Sequence, residues 1–243
     1  MRRATERPWI YGHRGASARA PENTLAAFAL ALDEGADGVE LDVRDAGDGT
    51  VVVAHDPTLE RVAKSPRVVA ASSLAQLAEV DLGGGERVPP LDRAIDLVRG
   101  RDRLLNVEIK GDVPDRMRLV RAVARLFSRR SRRELDGVLV SSFRPEMLGA
   151  LRALGAKIPV AFLFDAEHTG IFRARVLARA LRPDGMHPQH LLAAPERIAR
   201  WQARGCFVGA WTVDDPMRAK ALAAAGIDAI ITNDPAGMRV ALG

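Results

Sequence analysis

Short apolar runs alternate with longer amphipathic stretches along the 243 residues. The runs fall at Trp9–Tyr11, Gly38–Val43, Leu104–Ile109, Val138–Val140, Val160–Phe164, Gly185–His187, Phe207–Thr212 and Ala229–Thr232. Most are rich in Val and Ile and bounded by Gly, Pro or Asp, which is how strands buried on both faces read. Helical spacing separates them: Glu22–Glu34, Leu91–Val98, Pro114–Phe127, Pro145–Leu154, Arg173–Leu181, Pro195–Ala203 and Pro216–Ala225. In the first, Leu25, Phe28, Ala29 and Leu32 fall on one face. Four of these helices open on proline, a residue suited to the first helical position. Gly35, Gly155, Gly205 and Gly226 follow helix ends, where a left-handed residue is wanted.

Eight strands alternating with helices predict an α/β fold, a (β/α)8 TIM barrel, with an open doubly wound sheet as the alternative. The length suits one such barrel, which needs roughly 250 residues, so residues 1–243 are expected to form a single domain. One stretch breaks the rhythm. Val51–Pro90 holds an extra strand (Val51–Ala54), a short helix (Ser73–Val80) and a Gly83-Gly84-Gly85 turn. It predicts a small insertion after the second strand unit, over about 57–90.

Composition narrows the classes. A chain 47% hydrophobic and 28% charged can bury a core, which argues against disorder. The single Cys206 excludes an internal disulfide framework and a cysteine-built metal cluster, and reads as a small buried hydrophobe. Neither a signal-like apolar segment behind Arg2, Arg3 and Arg7 nor a membrane-spanning run is present, so a cytoplasmic protein is expected. The charge is +5, and only four of the 36 basic residues are lysine. Nucleic acid, an anionic membrane and a phosphorylated small molecule compete as partners for such a surface, against a simple compositional bias toward arginine. Aromatics make up 5%, too few for a base-stacking platform. The one arginine cluster, Arg129-Arg130-Ser131-Arg132-Arg133, reads as a solvated helix end.

Polar residues gather where barrel strands should end, the face on which such enzymes build active sites. Glu40 and Asp42 are two apart in a buried strand and so share a face. Glu108 adds a third carboxylate, and Lys110 shares its face. Converging oxygens without cysteine suit Mg²⁺ or Ca²⁺ better than zinc; a salt-bridge network with Arg14, Arg44 and Lys110 is the other reading. His13 and His55 each follow a strand and can serve as acid and base near neutral pH. His187, at a strand end, has a place at the mouth only as an alternative, and His168 and His190 read as surface residues. Arg14 and Lys110 bring positive charge to the same rim, which favours phosphoryl chemistry over acyl transfer.

The ordered set of motifs resembles the glycerophosphodiester phosphodiesterase family along nearly the whole chain. It runs from Gly12-His13-Arg14-Gly15 and Pro21-Glu22-Asn23-Thr24 through Gly35–Val43, Val53–Leu59, Val88-Pro89-Pro90-Leu91, Asn106–Lys110 and Ser141-Ser142-Phe143. It ends with Ala210-Trp211-Thr212-Val213 and Asp228–Pro235. The resemblance implies a (β/α)8 barrel with a small insertion and metal-dependent hydrolysis of glycerophosphodiesters to sn-glycerol 3-phosphate and an alcohol. It implies Glu40, Asp42 and Glu108 as ligands of Mg²⁺ or Ca²⁺, and His13 and His55 as the acid–base pair. Arg14 and Lys110 would bind phosphate, Glu22 would stand near the metal and Arg14, and Phe143 and Trp211 would line the substrate groove. Two departures stand near the expected mouth: Asp214 where Asn is usual, and three glycines within Leu82–Arg87. The alternatives are lysophospholipase D-like hydrolysis of lipid diesters, a phosphodiester-binding protein without catalysis, and nucleic-acid binding. The polar Thr58–Pro90 segment argues for soluble substrates, so neither nucleic acid nor stable membrane association is expected.

Overall fold

A computed structural model describes residues 7–166 and 181–243. Eight parallel strands close into a barrel: β1 (Trp9–His13), β2 (Gly38–Asp45), β4 (Leu104–Ile109), β5 (Val138–Ser142), β6 (Val160–Phe164), β7 (Gly185–Pro188), β8 (Phe207–Ala210) and β9 (Ala229–Thr232). β1 pairs with both β2 and β9, which shuts the ring. The open sheet is thereby excluded. A ninth strand, β3 (Val51–Val53), runs antiparallel to β2.

β2 is the longest stave, eight residues and all buried. Gly38–Val43 pairs with β4 inside the barrel. Val43, Arg44 and Asp45 continue past the rim and pair with β3. One strand therefore carries carboxylates on its barrel half and anchors the excursion on the other. Beyond β3 the excursion folds on a small core of its own, including Ala46, Val52, Leu59, Val69, Leu77 and Val88. The expected helix Ser73–Val80 is shorter, Leu74–Leu77, with Ser73 and Gln76 capping its start reciprocally, and a further short helix forms at Glu60–Ala63.

Alternation divides each stave. Val39, Leu41 and Val43 of β2 and Val107 and Ile109 of β4 face outward into the layer shared with Phe28, Ile95 and Leu119 of the helices. The other face points into the barrel, where Tyr11, Phe207, Ala229 and Ile231 pack together low in the lumen. The polar side chains of β1, β2 and β4 sit above that plug.

The helices differ from the sequence pattern in instructive ways. The first spans Leu25–Asp33, not Glu22–Glu34, because the Thr24 hydroxyl accepts the Ala27 N–H and fixes the start. Its packed face is Ala27, Phe28, Ala31 and Leu32; Leu25 and Ala29 are only half-buried. Pro145, Pro195 and Pro216 do open their helices, but Pro114 does not: Asp115 caps Arg116–Ser128. A helix at Pro235–Leu242 adds a further proline start. Gly35, Gly155, Gly205 and Gly226 take φ of 88°, 85°, 82° and 77°. The expected helix Arg173–Leu181 and the surface reading of His168 lie outside the described residues, save for Leu181. Cys206 is half-buried rather than buried, its Sγ 3.5 Å from the Pro183 carbonyl. His190 is also half-buried, at the start of a short 3-10 turn. The arginine cluster follows the helix end as expected, with Arg130 tied to Asp96 and Glu134. No described helix is long and apolar enough to cross a membrane.

Candidate active site

The strand ends bring three carboxylates together. Glu40 and Asp42 point inward from β2, and Glu108 stands beside Asp42 in register on β4. Oxygens of all three lie within 4.8 Å of one another. They are 4%, 1% and 8% exposed, so their mutual repulsion is weakly screened. Burial, with the charges of Asp42 and Glu108, raises the Glu40 carboxyl well above the usual range. Burial likewise pushes Glu108 up to about 7 against the opposing pull of Lys110. Burial also acts on Asp42, but Lys110, Arg14 and the Asn23 amide outweigh it and hold that carboxyl low.

Two cations enter the cluster. Lys110 Nζ lies 2.9 Å from Glu108 Oε1 and 3.3 Å from Asp42 Oδ1. Arg14 places Nε 3.2 Å from Asp42 Oδ2 and Nη1 3.0 Å from Glu22 Oε1. Arg14 reaches there from a left-handed backbone (φ 56°), and its own N–H donates to the Glu40 carbonyl at 2.9 Å. Gly15, at φ 85°, follows it so closely against Ala27 that a Cβ would meet backbone at 2.5 Å; only glycine lets this turn lie on the helix.

The two histidines stand on either side. His13 ends β1, with Nε2 3.9 Å from Glu40 Oε2 and Nδ1 2.7 Å from Asn233 Oδ1. His55 follows β3, with Nδ1 2.7 Å from Asp56 Oδ1. In both rings Nδ1 is engaged, which leaves Nε2 for chemistry. Burial lowers both imidazoles below their ordinary range, assisted by Arg14 at His13 and by Lys110 and Arg14 at His55.

Glu40, Glu108 and both histidines open onto a cavity of about 440 Å³ lined also by Asn106, Leu163 and Ile231. Phe143 and Trp211 form its aromatic wall, edge to face with centroids 5.4 Å apart. Asp112, Arg144 and Asp165 stand at the same cavity. A larger hollow of about 740 Å³, near Phe164 and Trp201, carries no carboxylate or imidazole among its described lining residues.

All the predicted site residues but one thus converge directly. Glu22 stands one step back: it is held by Arg14 at 3.0 Å and by two bonds from Arg61 at 2.7 and 2.6 Å, and lies outside the carboxylate trio. His187 does not reach the mouth. It is buried in the lumen, neither ring nitrogen has a partner among the described residues, and burial alone pushes it down to about 3. Arg44 does not join the carboxylates either; it leaves the barrel with the upper half of β2. Its guanidinium donates to the His55 carbonyl at 2.9 and 2.7 Å and to Asp112, fastening the His55 turn to the loop after β4. Other residues had no role from sequence. Asn23 donates to Asp42 Oδ2 at 3.0 Å from a left-handed backbone (φ 59°). Arg61 bridges Asp56 and Glu22. Asp214 turns to Asn233 rather than to the cavity. Asn23 and Asn233 belong to the motifs, so a signal existed; Arg61 lies in the excursion without one.

Three buried carboxylates face two cations, and the imbalance appears as raised Glu40 and Glu108 carboxyls. An all-oxygen donor set short of positive charge fits a hard divalent cation.

The model of the glycerophosphoryl diester phosphodiesterase family matches residues 13–237. A glycerophosphodiester phosphodiesterase of Caldanaerobacter subterraneus subsp. tengcongensis is 31% identical over 238 residues, covering 93% of this chain and 94% of that protein. The structure of an Oleispira antarctica phosphodiesterase in complex with the product sn-glycerol-3-phosphate superposes with a TM-score of 0.86 at 27% identity, covering 97% and 96% of the two chains. A glycerophosphodiester phosphodiesterase of Thermotoga maritima gives 0.79 at 28% identity, covering 96% and 97%. With fold, carboxylate trio and paired histidines in place, the chain belongs to the glycerophosphoryl diester phosphodiesterase family, a family of phosphoric diester hydrolases.

Proposed function

We propose that the protein hydrolyses small glycerophosphodiesters to sn-glycerol 3-phosphate and an alcohol, with Glu40, Asp42 and Glu108 holding Mg²⁺ or Ca²⁺. The observation that carries this reading is the pair of Nδ1-anchored imidazoles beside the carboxylate trio. When bound, the cation would supply Lewis-acid stabilisation to a nonbridging phosphate oxygen. Arg14 and Lys110 bind the phosphate and stabilise the charge that builds on it. One histidine takes a proton from the nucleophile through Nε2, and the other gives one to the leaving alkoxide. Each transfer is typically worth about 10²–10⁴-fold. The ring that accepts enters the step neutral, a state that burial favours; the ring that donates enters it as imidazolium, carrying the transferred proton on Nε2.

Phe143 and Trp211 shape the groove that receives substrate. Asp112, Arg144 and Asp165 beside that wall favour a water-soluble diester over an acyl chain. A coupled assay of glycerol 3-phosphate release across several head groups, with and without EDTA, tests the reading. Turnover that persists after complete metal removal contradicts the metal role, and no release from any glycerophosphodiester contradicts the substrate.

A further inference from the structure

His13 is held through a chain of two further side chains. Its Nδ1 lies 2.7 Å from Asn233 Oδ1, which also accepts the Ser17 hydroxyl at 2.8 Å. Asn233 Nδ2 donates to Asp214 Oδ2 at 2.6 Å. Asp214 Oδ1 accepts the Thr232 hydroxyl at 2.9 Å and the Asn233 backbone N–H at 2.8 Å.

The direction of every bond in this chain follows from its far end. A carboxylate only accepts, so the Asn233 amide must turn its NH₂ to Asp214. Its carbonyl oxygen then faces His13, and Nδ1 must carry the hydrogen. The reversed amide would set two acceptor oxygens 2.6 Å apart. Nε2, the nitrogen toward Glu40, is left with its lone pair. A proton taken by Nε2 gives an imidazolium whose Nδ1–H still points at the Asn233 oxygen. Its release restores the starting ring, so only Nε2 changes over a cycle.

We propose that Asp214 and Asn233 are positioning residues that fix His13 as the Nδ1–H tautomer, Asp214 acting through Asn233. The proposal deepens the acid–base role of His13 and rests on it for its kinetic consequence; the tautomer itself is independent of substrate.

Replacing the carboxylate by an amide should invert the chain. In Asp214→Asn the oxygen stays with the Thr232 hydroxyl and the Asn233 N–H, so the new NH₂ faces the Asn233 side chain. Asn233 then turns over and offers NH₂ to His13, which favours Nε2–H. Asp214→Asn/Asn233→Asp restores an acceptor beside Nδ1, with the introduced amide at position 214 now donating to it.

Long-range proton–nitrogen correlation spectra of histidine-labelled protein at about pH 8, where imidazole is neutral, separate the two tautomers. The signal of His13 is identified by its loss in His13→Gln. We expect Nδ1–H in the wild type, Nε2–H in Asp214→Asn and Nδ1–H again in the double variant. We expect kcat to fall by about 10-fold or more in the single variant, within the range of one proton transfer, with KM within about twofold, and to recover in the double variant. Nε2–H in the wild type, or an unchanged tautomer in Asp214→Asn, overturns the proposal. An inverted tautomer with unchanged kcat overturns its catalytic consequence. Absence of glycerol 3-phosphate release by the wild type refutes the function alone, because the spectra need no substrate.

Discussion

His187 provides a probe of how the lumen tolerates charge. Its imidazole is 2% exposed, packs against Phe207 with centroids 6.1 Å apart, and has no partner on either nitrogen among the described residues. Burial lowers it from 6.5 to about 3. The unfolded chain therefore binds a proton that the folded chain refuses. Stability from this group is intact above about pH 6.5 and falls as pH drops toward 3. The full gap of about 3.5 pH units corresponds to about 5 kcal/mol, and the part between about pH 7 and pH 4 to about 3 kcal/mol. In His187→Leu that term is gone. The Trp211 indole keeps its bond, which goes to the backbone carbonyl of residue 187 at 2.7 Å. Thermal unfolding of both proteins, with EDTA present, should show the variant gaining about 6–12 °C on the wild type between about pH 7 and pH 4. Midpoints that fall in parallel would refute the reasoning and show that His187 finds a partner or solvent.

Other outcomes follow from the site. Glu108→Gln should weaken Mg²⁺ or Ca²⁺ binding by about tenfold or more in titration calorimetry, because it removes one of three charged oxygens. His13→Ala and His55→Ala should each lower kcat by about 10²–10⁴-fold in the glycerol 3-phosphate assay, with midpoints within a few degrees of wild type. Arg44→Ala should cost about 1–3 kcal/mol in denaturant unfolding and also lower kcat, because the His55 carbonyl and the Asp112 carboxylate lose their donor. A variant of that kind with full stability and slow turnover would separate fastening of the turn from folding.

Strands were legible because both faces of each stave are buried, so Val and Ile runs mark them directly. Helix starts were less so. Nothing in hydropathy distinguishes Glu22 and Asn23 from a helical turn; what excludes them is the Thr24 hydroxyl and the left-handed Asn23, which bend the chain into the site. Glu40, Asp42 and Glu108 stood out as charges in apolar strands. Arg44, grouped with the carboxylates only in the salt-bridge alternative, falls outside them because it lies beyond the rim, on the hairpin with β3, and alternation does not say where a strand leaves its barrel. His187 is hard to place for a related reason. A polar residue near a strand end reads as rim, yet β7 is four residues long and His187 sits below the opening. Arg61 and Asp214 depend on contacts with Glu22 and Asn233, which lie in other segments of the chain, and spacing does not encode such contacts.

The seam between β1 and β9 has a consequence for synthesis. β1 is made early, and one of its edges waits for a partner more than 200 residues downstream. Until β9 emerges, that edge is open to pairing with other chains, a hazard that nascent β-sheet shares with misfolded protein. Through the same interval His13 lacks Asn233, which follows β9. Ribosome-bound intermediates therefore carry His13 without its Asn233 contact until the last strand arrives and seals the cylinder.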